Sequence, residues 1–214
     1  MSVPRTLVAF EQGAQGPNKD CAYEGPYIKA ITGMPIAQEG AEAACAHLSS
    51  VGNIAKAVPD LWSNESVNNV RLLSDMAPTV SLEQLAYATR LMNTAKASGM
   101  DGARQLRDWF AASDAALDPQ AYVLRPDVVL DLAAEIIAEP TAYLRTRRAA
   151  QATLSRLQEA GESGELHFPK IEQRWLERLQ KAAHQLPEDE EAFIAEMVAA
   201  VDPEKIRLEG YDLA

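Results

Sequence analysis

From Pro126 to Val201 the sequence reads as one helix after another, while only two short runs in the chain read as β-strand. That imbalance constrains the fold more than any other feature. One or two strands cannot build a sheet with a buried face. An α/β layer begun by these residues therefore needs strands from elsewhere. The first strand-like run is Thr6-Leu7-Val8-Ala9-Phe10, followed by a polar, glycine-rich stretch from Gln12 to Gly25. A buried strand leading into an irregular loop reads this way, and in α/β folds such loops carry the chemistry. The second run is Ala77 to Val80. The start of the chain fits a continuing α/β sequence as well as a true start, so an incomplete chain is the expectation.

The helical signals are more regular. Asn64 or Ser66 caps a short helix over Glu65 to Leu73. Ser81-Leu82-Glu83-Gln84 has capping-box spacing, and the helix it opens ends at Gly99. A further helix covers Arg104 to Ala112. Asp118-Pro119 and Arg125-Pro126 mark turns or helix starts. Beyond them the pattern predicts helices over Asp127–Ala138, Pro140–Ala160, Pro169–Gln185 and Glu188–Val201, with Gly161 and Gly164 separating the second from the third. Their apolar residues fall at helical spacing, the mark of amphipathic helices on a core or in an oligomer interface. Trp62, Trp109 and Tyr122 read as core residues rather than interface anchors.

Charge and cysteine usage exclude several function classes. The net charge is −11, from 31 acidic and 20 basic residues. Phosphate backbones and anionic membrane surfaces want the opposite sign, so neither nucleic acid nor membrane is an expected partner. The local cluster Arg145, Arg147 and Arg148 reads as a solvated helix face with acidic neighbours one turn away. No run approaches the ~20 apolar residues of a membrane span. Two cysteines, Cys21 and Cys45, do not make a disulfide framework, and a cytoplasmic protein is expected.

Chemistry-bearing residues concentrate between Gly16 and Pro26, where Lys19, Asp20, Cys21, Tyr23 and Glu24 share one loop. Cysteine is usually a small buried hydrophobe. Among glycines and polar residues, burial explains Cys21 less well, and a functional thiolate is as good a reading. Thiolate is a zinc ligand, although no CxxC pair or HExxH motif supports a metal by spacing. Cys45 and His47 would share a face only on an extended segment, so a buried Cys and a satisfied His explain them more simply. His167 and His184 read as surface or dipole-stabilising residues. No GxGxxG, Walker or GxSxG pattern supports nucleotide binding or serine hydrolysis.

Long, unusual strings add a family resemblance. Pro4 to Glu11, Gly16 to Gly33, Ala44 to Ser49, Asp60 to Val67, Gln105 to Trp109 and Leu117 to Pro126 closely resemble the zinc subunit of methanol–corrinoid methyltransferases. The resemblance runs nearly to the end of the chain. It implies the C-terminal part of a longer protein, whose core is a (β/α)8 TIM-type barrel with an added helical region. The implied fold class is helix-rich α/β, with residues 1–100 the last part of an incomplete barrel and 101–214 the helical region.

The resemblance also implies the reaction. Methanol would donate its methyl group to the Co(I) corrinoid of a partner protein, with Zn2+ acting on the alcohol oxygen. Two of three protein zinc ligands, a Glu and a Cys, would lie in the preceding part of the longer protein. The third would be Cys21, with Cys45 the runner-up. Asp20, Glu24, Glu39 and Tyr23 are candidates to relay the leaving group's proton, and Asp20 and Glu24 are taken as the catalytic residues. Expected partners are the corrinoid protein, methanol, and further subunits in a homo- or hetero-oligomer. The fragment would be inactive alone. The competing expectation is a non-catalytic helical module that docks a corrinoid protein or dimerises.

Overall fold

A computed structural model describes residues 24–33, 51–62, 79–202 and 206–213. They form nine α-helices: α1 Gly25–Thr32, α2 Gly52–Ala57, α3 Thr79–Ala97, α4 Met100–Asp114, α5 Pro119–Val123, α6 Pro126–Ile137, α7 Ala142–Ser163, α8 Lys170–Gln185 and α9 Glu190–Ala200. A π-helical turn, Val58–Trp62, continues α2, and a 3-10 turn covers Leu208–Tyr211. There is no strand among the described residues. The strand expected at Thr6–Phe10 and the helix expected over Glu65–Leu73 lie outside them. The strand expected at Ala77–Val80 is corrected at its second half, because Thr79 and Val80 open α3.

The helix starts follow local chemistry. The Asp118 carboxylate accepts from the amides of Gln120 and Ala121 at 2.7 and 3.3 Å, and Pro119 opens α5 without wasting a donor. Thr141 caps α7 through the Leu144 amide at 3.2 Å, and Asp189 caps α9 through Ala192 at 2.9 Å. Gly164 ends α7 with φ 80°, a left-handed conformation that a side chain would strain. Gly161, expected to break the helix, instead lies inside α7. A Cβ there would stand 3.0 Å from the Phe168 ring, so glycine lets Phe168 pack closely against the helix.

The core is centred on α6 and α7. Val128, Val129, Leu132 and Ile136 put one face of α6 wholly inside, against α1 and α7. Each such side chain contributes roughly 1.5–3 kcal/mol. α7 packs on α1, α5, α6 and α8, and its buried positions are small: Ala149, Ala152, Thr153 and Ala160. Small residues let several helices approach one axis closely. Tyr122 joins this core, and Trp62 packs at its margin. Trp109, expected in the core, is 63% exposed. Its helix α4 turns Leu106, Ala111 and Asp114 inward instead.

The arginine cluster also differs from expectation. Arg145 donates to the Glu139 carbonyl at 2.7 Å and to the Ile31 carbonyl at 3.3 Å, so it ties α7 to the end of α1. Arg147 reaches the Leu186 carbonyl and Glu188, and Arg148 reaches Glu135. These partners lie outside α7, not one turn away on it.

A second tie joins α2 to α4. The N-cap of α2 is Val51, which has no oxygen to offer the first free amides. Asp114, at the end of α4 and 4% exposed, supplies it. Its Oδ2 accepts from the amides of Asn53 at 2.9 Å and Ile54 at 2.8 Å, while the Ser113 hydroxyl donates to its other oxygen at 2.6 Å. A buried carboxylate is tolerated because these donors, and the positive end of α2, replace water. Asp114→Ala leaves two amides stranded and should lower the unfolding free energy by about 2–4 kcal/mol in urea titration. Asp114→Asn, which keeps one acceptor oxygen, should lose less. Equal, small losses from both would show that water caps α2 instead.

Candidate functional site

Of the residues proposed for chemistry, Glu24 is described, and Asp20, Cys21, Tyr23, Glu39, Cys45 and His47 lie outside the described residues. Glu24 is half-buried and stands immediately before α1, at its N-cap position. The described residues contain no group of three or more His, Cys, Asp or Glu able to hold a metal. The structure therefore neither joins Glu24 to a metal-ligand set nor places Cys21.

It does show how α1 is held. Tyr27 is 7% exposed, and its phenol donates to the carbonyl of Val123 at the end of α5. Burial pushes this phenol well above its usual pKa, so it remains a donor. Ala30 and Ile31 are buried beside it, and Arg145 takes the Ile31 carbonyl from the other end. Both ends of α1 are thus fixed to the helical bundle, and Glu24 inherits that fixed position. Trp62, closing the π-helical turn, keeps its indole N–H buried without a hydrogen-bond partner among the described residues.

A separate groove of about 450 Å³ lies between α4, the start of α6 and Glu165 just beyond α7. Ala111, Ala112, Ala115 and Ala116 floor it, and Arg107, Asp108, Arg125, Asp127 and Glu165 rim it. The rim is internally satisfied. Tyr122 donates to Glu165 at 2.9 Å, while Arg125 pairs with Asp127 at 2.5 Å and lies over the Tyr122 ring. Burial, then the Glu165 hydrogen bond and charge, push the Tyr122 phenol upward. Burial would raise Asp127, but the Arg125 hydrogen bond and charge outweigh it and hold the carboxyl below its usual range. Charges so matched give the groove a shape but no free reactive group.

The comparisons with known proteins bear on the whole chain. The family model for the methanol-cobalamin methyltransferase B subunit matches residues 1–212. The chain belongs to this family. A methanol–corrinoid protein co-methyltransferase of Methanosarcina barkeri (strain Fusaro / DSM 804) is 39% identical over 195 residues, which is 91% of this chain and 42% of that protein. The crystal structure of the methanol:cobalamin methyltransferase complex MtaBC from Methanosarcina barkeri superposes with a TM-score of 0.71 at 36% identity, covering 99% of this chain and 46% of that one. The chain therefore spans less than half the length of these relatives.

Family membership gives the strings behind the resemblance a physical meaning. Gly25–Gly33 and Leu117–Pro126, far apart in sequence, meet through Tyr27 and the Val123 carbonyl. Gln105–Trp109 brings Arg107 and Asp108 to the groove that Arg125 also lines. Sequence reasoning missed Tyr27, Asp114, Arg145 and Glu165 as organising residues. A tyrosine beside Pro26 was the available signal for the first; a carbonyl acceptor from another helix leaves no pattern.

The Arg125–Asp127 pair has a definite pH signature. The folded carboxyl titrates below its ordinary value of 3.8, so the pair contributes fully above that pH and is lost as pH falls through the lower folded value. Asp127 is largely exposed, so Asp127→Asn should cost only a few tenths of a kcal/mol near neutrality. It should also flatten the acid limb of a stability-versus-pH curve. An acid limb unchanged by the substitution would assign the acid sensitivity elsewhere.

Proposed function

We propose that this chain carries part of the machinery that moves the methyl group of methanol onto the cobalt of a corrinoid held by a partner protein. The observation that carries this reading is the family match across residues 1–212. The names of the related co-methyltransferase and of the MtaBC complex supply the substrate and the corrinoid partner. In this reading residues 1–100 are the last part of a (β/α)8 barrel, residues 101–214 are the helical region packed on it, and the protein works in the cytoplasm.

The donor chemistry around α1 fits zinc as one part of a composite site. Cys21 offers a thiolate three residues before Glu24, and thiolate is among zinc's preferred ligands. One thiolate is short of the three protein ligands a catalytic zinc takes. The remaining ligands, a Glu and a Cys, would come from the further length that the relatives possess, and the 214 residues alone would be inactive. Bound there, zinc supplies Lewis acidity toward the alcohol oxygen.

The chain's own residues would do the rest. In the transfer, the C–O bond of methanol breaks, a carbon–cobalt bond forms, and the oxygen departs needing a proton. Asp20 or Glu24 would hold that proton, since both flank Cys21 in sequence. The anchoring of α1 through Tyr27 and Arg145 would keep Glu24 in place while the large corrinoid approaches. A second reading, a non-catalytic helical module that docks the corrinoid protein or dimerises, draws its support from Ile171, Trp175 and Leu179, exposed at four-residue spacing along α8.

Zinc content separates these readings. The chain is measured alone and together with the N-terminal portion of a longer relative, each with a Cys21→Ala control. Stoichiometric zinc only in the combined protein, lost in Cys21→Ala, is expected. Zinc retained by that variant would move the ligand to Cys45 and His47. Zinc in neither sample would favour the non-catalytic module. In the combined protein, Glu24→Gln should retain zinc while slowing methyl transfer by roughly 10²–10⁴-fold. Full activity in that variant would pass the proton role to Asp20.

A further inference from the structure

α5 ends in a turn whose last carbonyls are each given a donor. The Ala121 carbonyl accepts from the Leu124 amide and the Tyr122 carbonyl from the Arg125 amide, both at 3.2 Å. The Val123 carbonyl, next along, accepts the Tyr27 phenol and so holds α1. A hydrogen bond weakens steeply as its angle closes. The orientation of this one turn therefore decides where α1 is held.

Tyr122 fixes that orientation through its side chain. It is 4% exposed, and its phenol donates at 2.9 Å to Glu165, a rim residue of the groove. Glu165 is half-exposed, yet its backbone stands among pinned neighbours. Gly164 before it closes α7 in a left-handed turn. Leu166 after it is buried, and its amide donates to the Ala160 carbonyl at 3.1 Å. The His167 amide donates to the Ala116 carbonyl, just past α4, at 3.3 Å. Arg125 adds a cation 3.9 Å from the carboxylate and lies over the Tyr122 ring. The end of α7 and the stretch after α4 thus place this carboxylate, and α5 must turn to meet it. Two neighbouring residues then have opposite duties: Tyr122 is held by the α7–α8 turn, and Val123 holds α1.

We propose that Glu165 is a positioning residue for the site that precedes α1. Acting through Tyr122, the Val123 carbonyl and Tyr27, it sets the position of α1 and of Glu24 at its start. The inference rests on the reading of Glu24 as a holder of the leaving group's proton. Glu165 itself exchanges no proton and touches no substrate. Its effect is geometric, and a misplacement of about 1 Å is enough to slow a reaction roughly a hundredfold.

Hydrogen–deuterium exchange of the 214-residue chain reads α1 directly, through a peptide covering residues 25–33. Glu165→Ala and Tyr122→Phe should each speed exchange there by roughly three- to tenfold, with α3 and α9 exchanging as before. Glu165→Gln keeps an acceptor oxygen and should return α1 close to the wild-type rate. Arg107→Ala, on the same rim but paired with Asp108, should leave α1 unchanged. In a Tyr27→Phe background the chain of contacts is already cut, so Glu165→Ala should add nothing further at α1. A rise spread evenly over all helices would overturn the proposal, since ordinary destabilisation produces it. So would α1 exchange indifferent to Glu165→Ala, or an effect that persists in full on Tyr27→Phe. Those failures leave the reading of Glu24 untouched. In the combined protein, Glu165→Ala should lower kcat for methyl transfer roughly tenfold, with zinc content and the KM for methanol unchanged. If α1 exchange responds and kcat does not, the proton role of Glu24 is overturned instead, and with it the catalytic half of the proposal.

Discussion

The hydrogen bond from Tyr27 to the Val123 carbonyl is the join on which the arrangement rests. A short helix such as α5 ends with carbonyls its own ladder cannot satisfy, and a buried one must find a donor elsewhere. Tyr27 provides it from a segment 96 residues away. The phenol satisfies the carbonyl and its ring fills core volume beside Ile31, so one side chain settles both a polar and an apolar demand. Arg145 does the same for the opposite end of α1. The consequence reaches function: α1, which follows the glycine-rich stretch of sequence, is welded to the helical half rather than draped over it.

The same logic recurs at Asp114, where the end of one helix caps the start of another. Both ties exchange a local solution for a tertiary one. Val51 could have been a serine or aspartate and capped α2 by itself; instead α2 depends on α4 being in place. Dependence of this kind makes folding cooperative, because neither helix is complete alone. Small side chains on α7 serve the same end by letting α1, α6 and α8 crowd its axis.

The two exposed features mean different things. The groove rimmed by Arg107, Arg125, Asp127 and Glu165 has every charge engaged, so it is a shaped surface rather than a reactive one. On the outward side of α8, Lys170, Arg174, Arg178 and Lys181 form no ion pair among the described residues, and Ile171, Trp175 and Leu179 are exposed. Matched charges signal a finished surface, whereas charges beside uncovered Trp175 signal a surface still to be matched.

From α3 onward helix identity and most helix ends were legible from sequence, because capping, proline and glycine act within a few residues, whereas α1 and α2 were not read as helices. Asp118, Pro126, Gly99 and Gly164 each announced a boundary, and the strings from Pro4 to Pro126 announced the family. Gly161 misled, because a glycine serving close approach to Phe168 looks the same in sequence as one ending a helix. Trp109 misled because hydrophobicity names a preference for burial, and only packing says which face of α4 is inside. The arginine partners were unreadable for the same reason. A guanidinium can reach its own helix or several others, and tertiary structure selected Ile31, Leu186 and Glu135. Interactions within a turn of chain are written in the order of residues. Those between residues a hundred apart exist only once the helices have packed, and they decided which of this chain's residues hold α1 and which remain open to a partner.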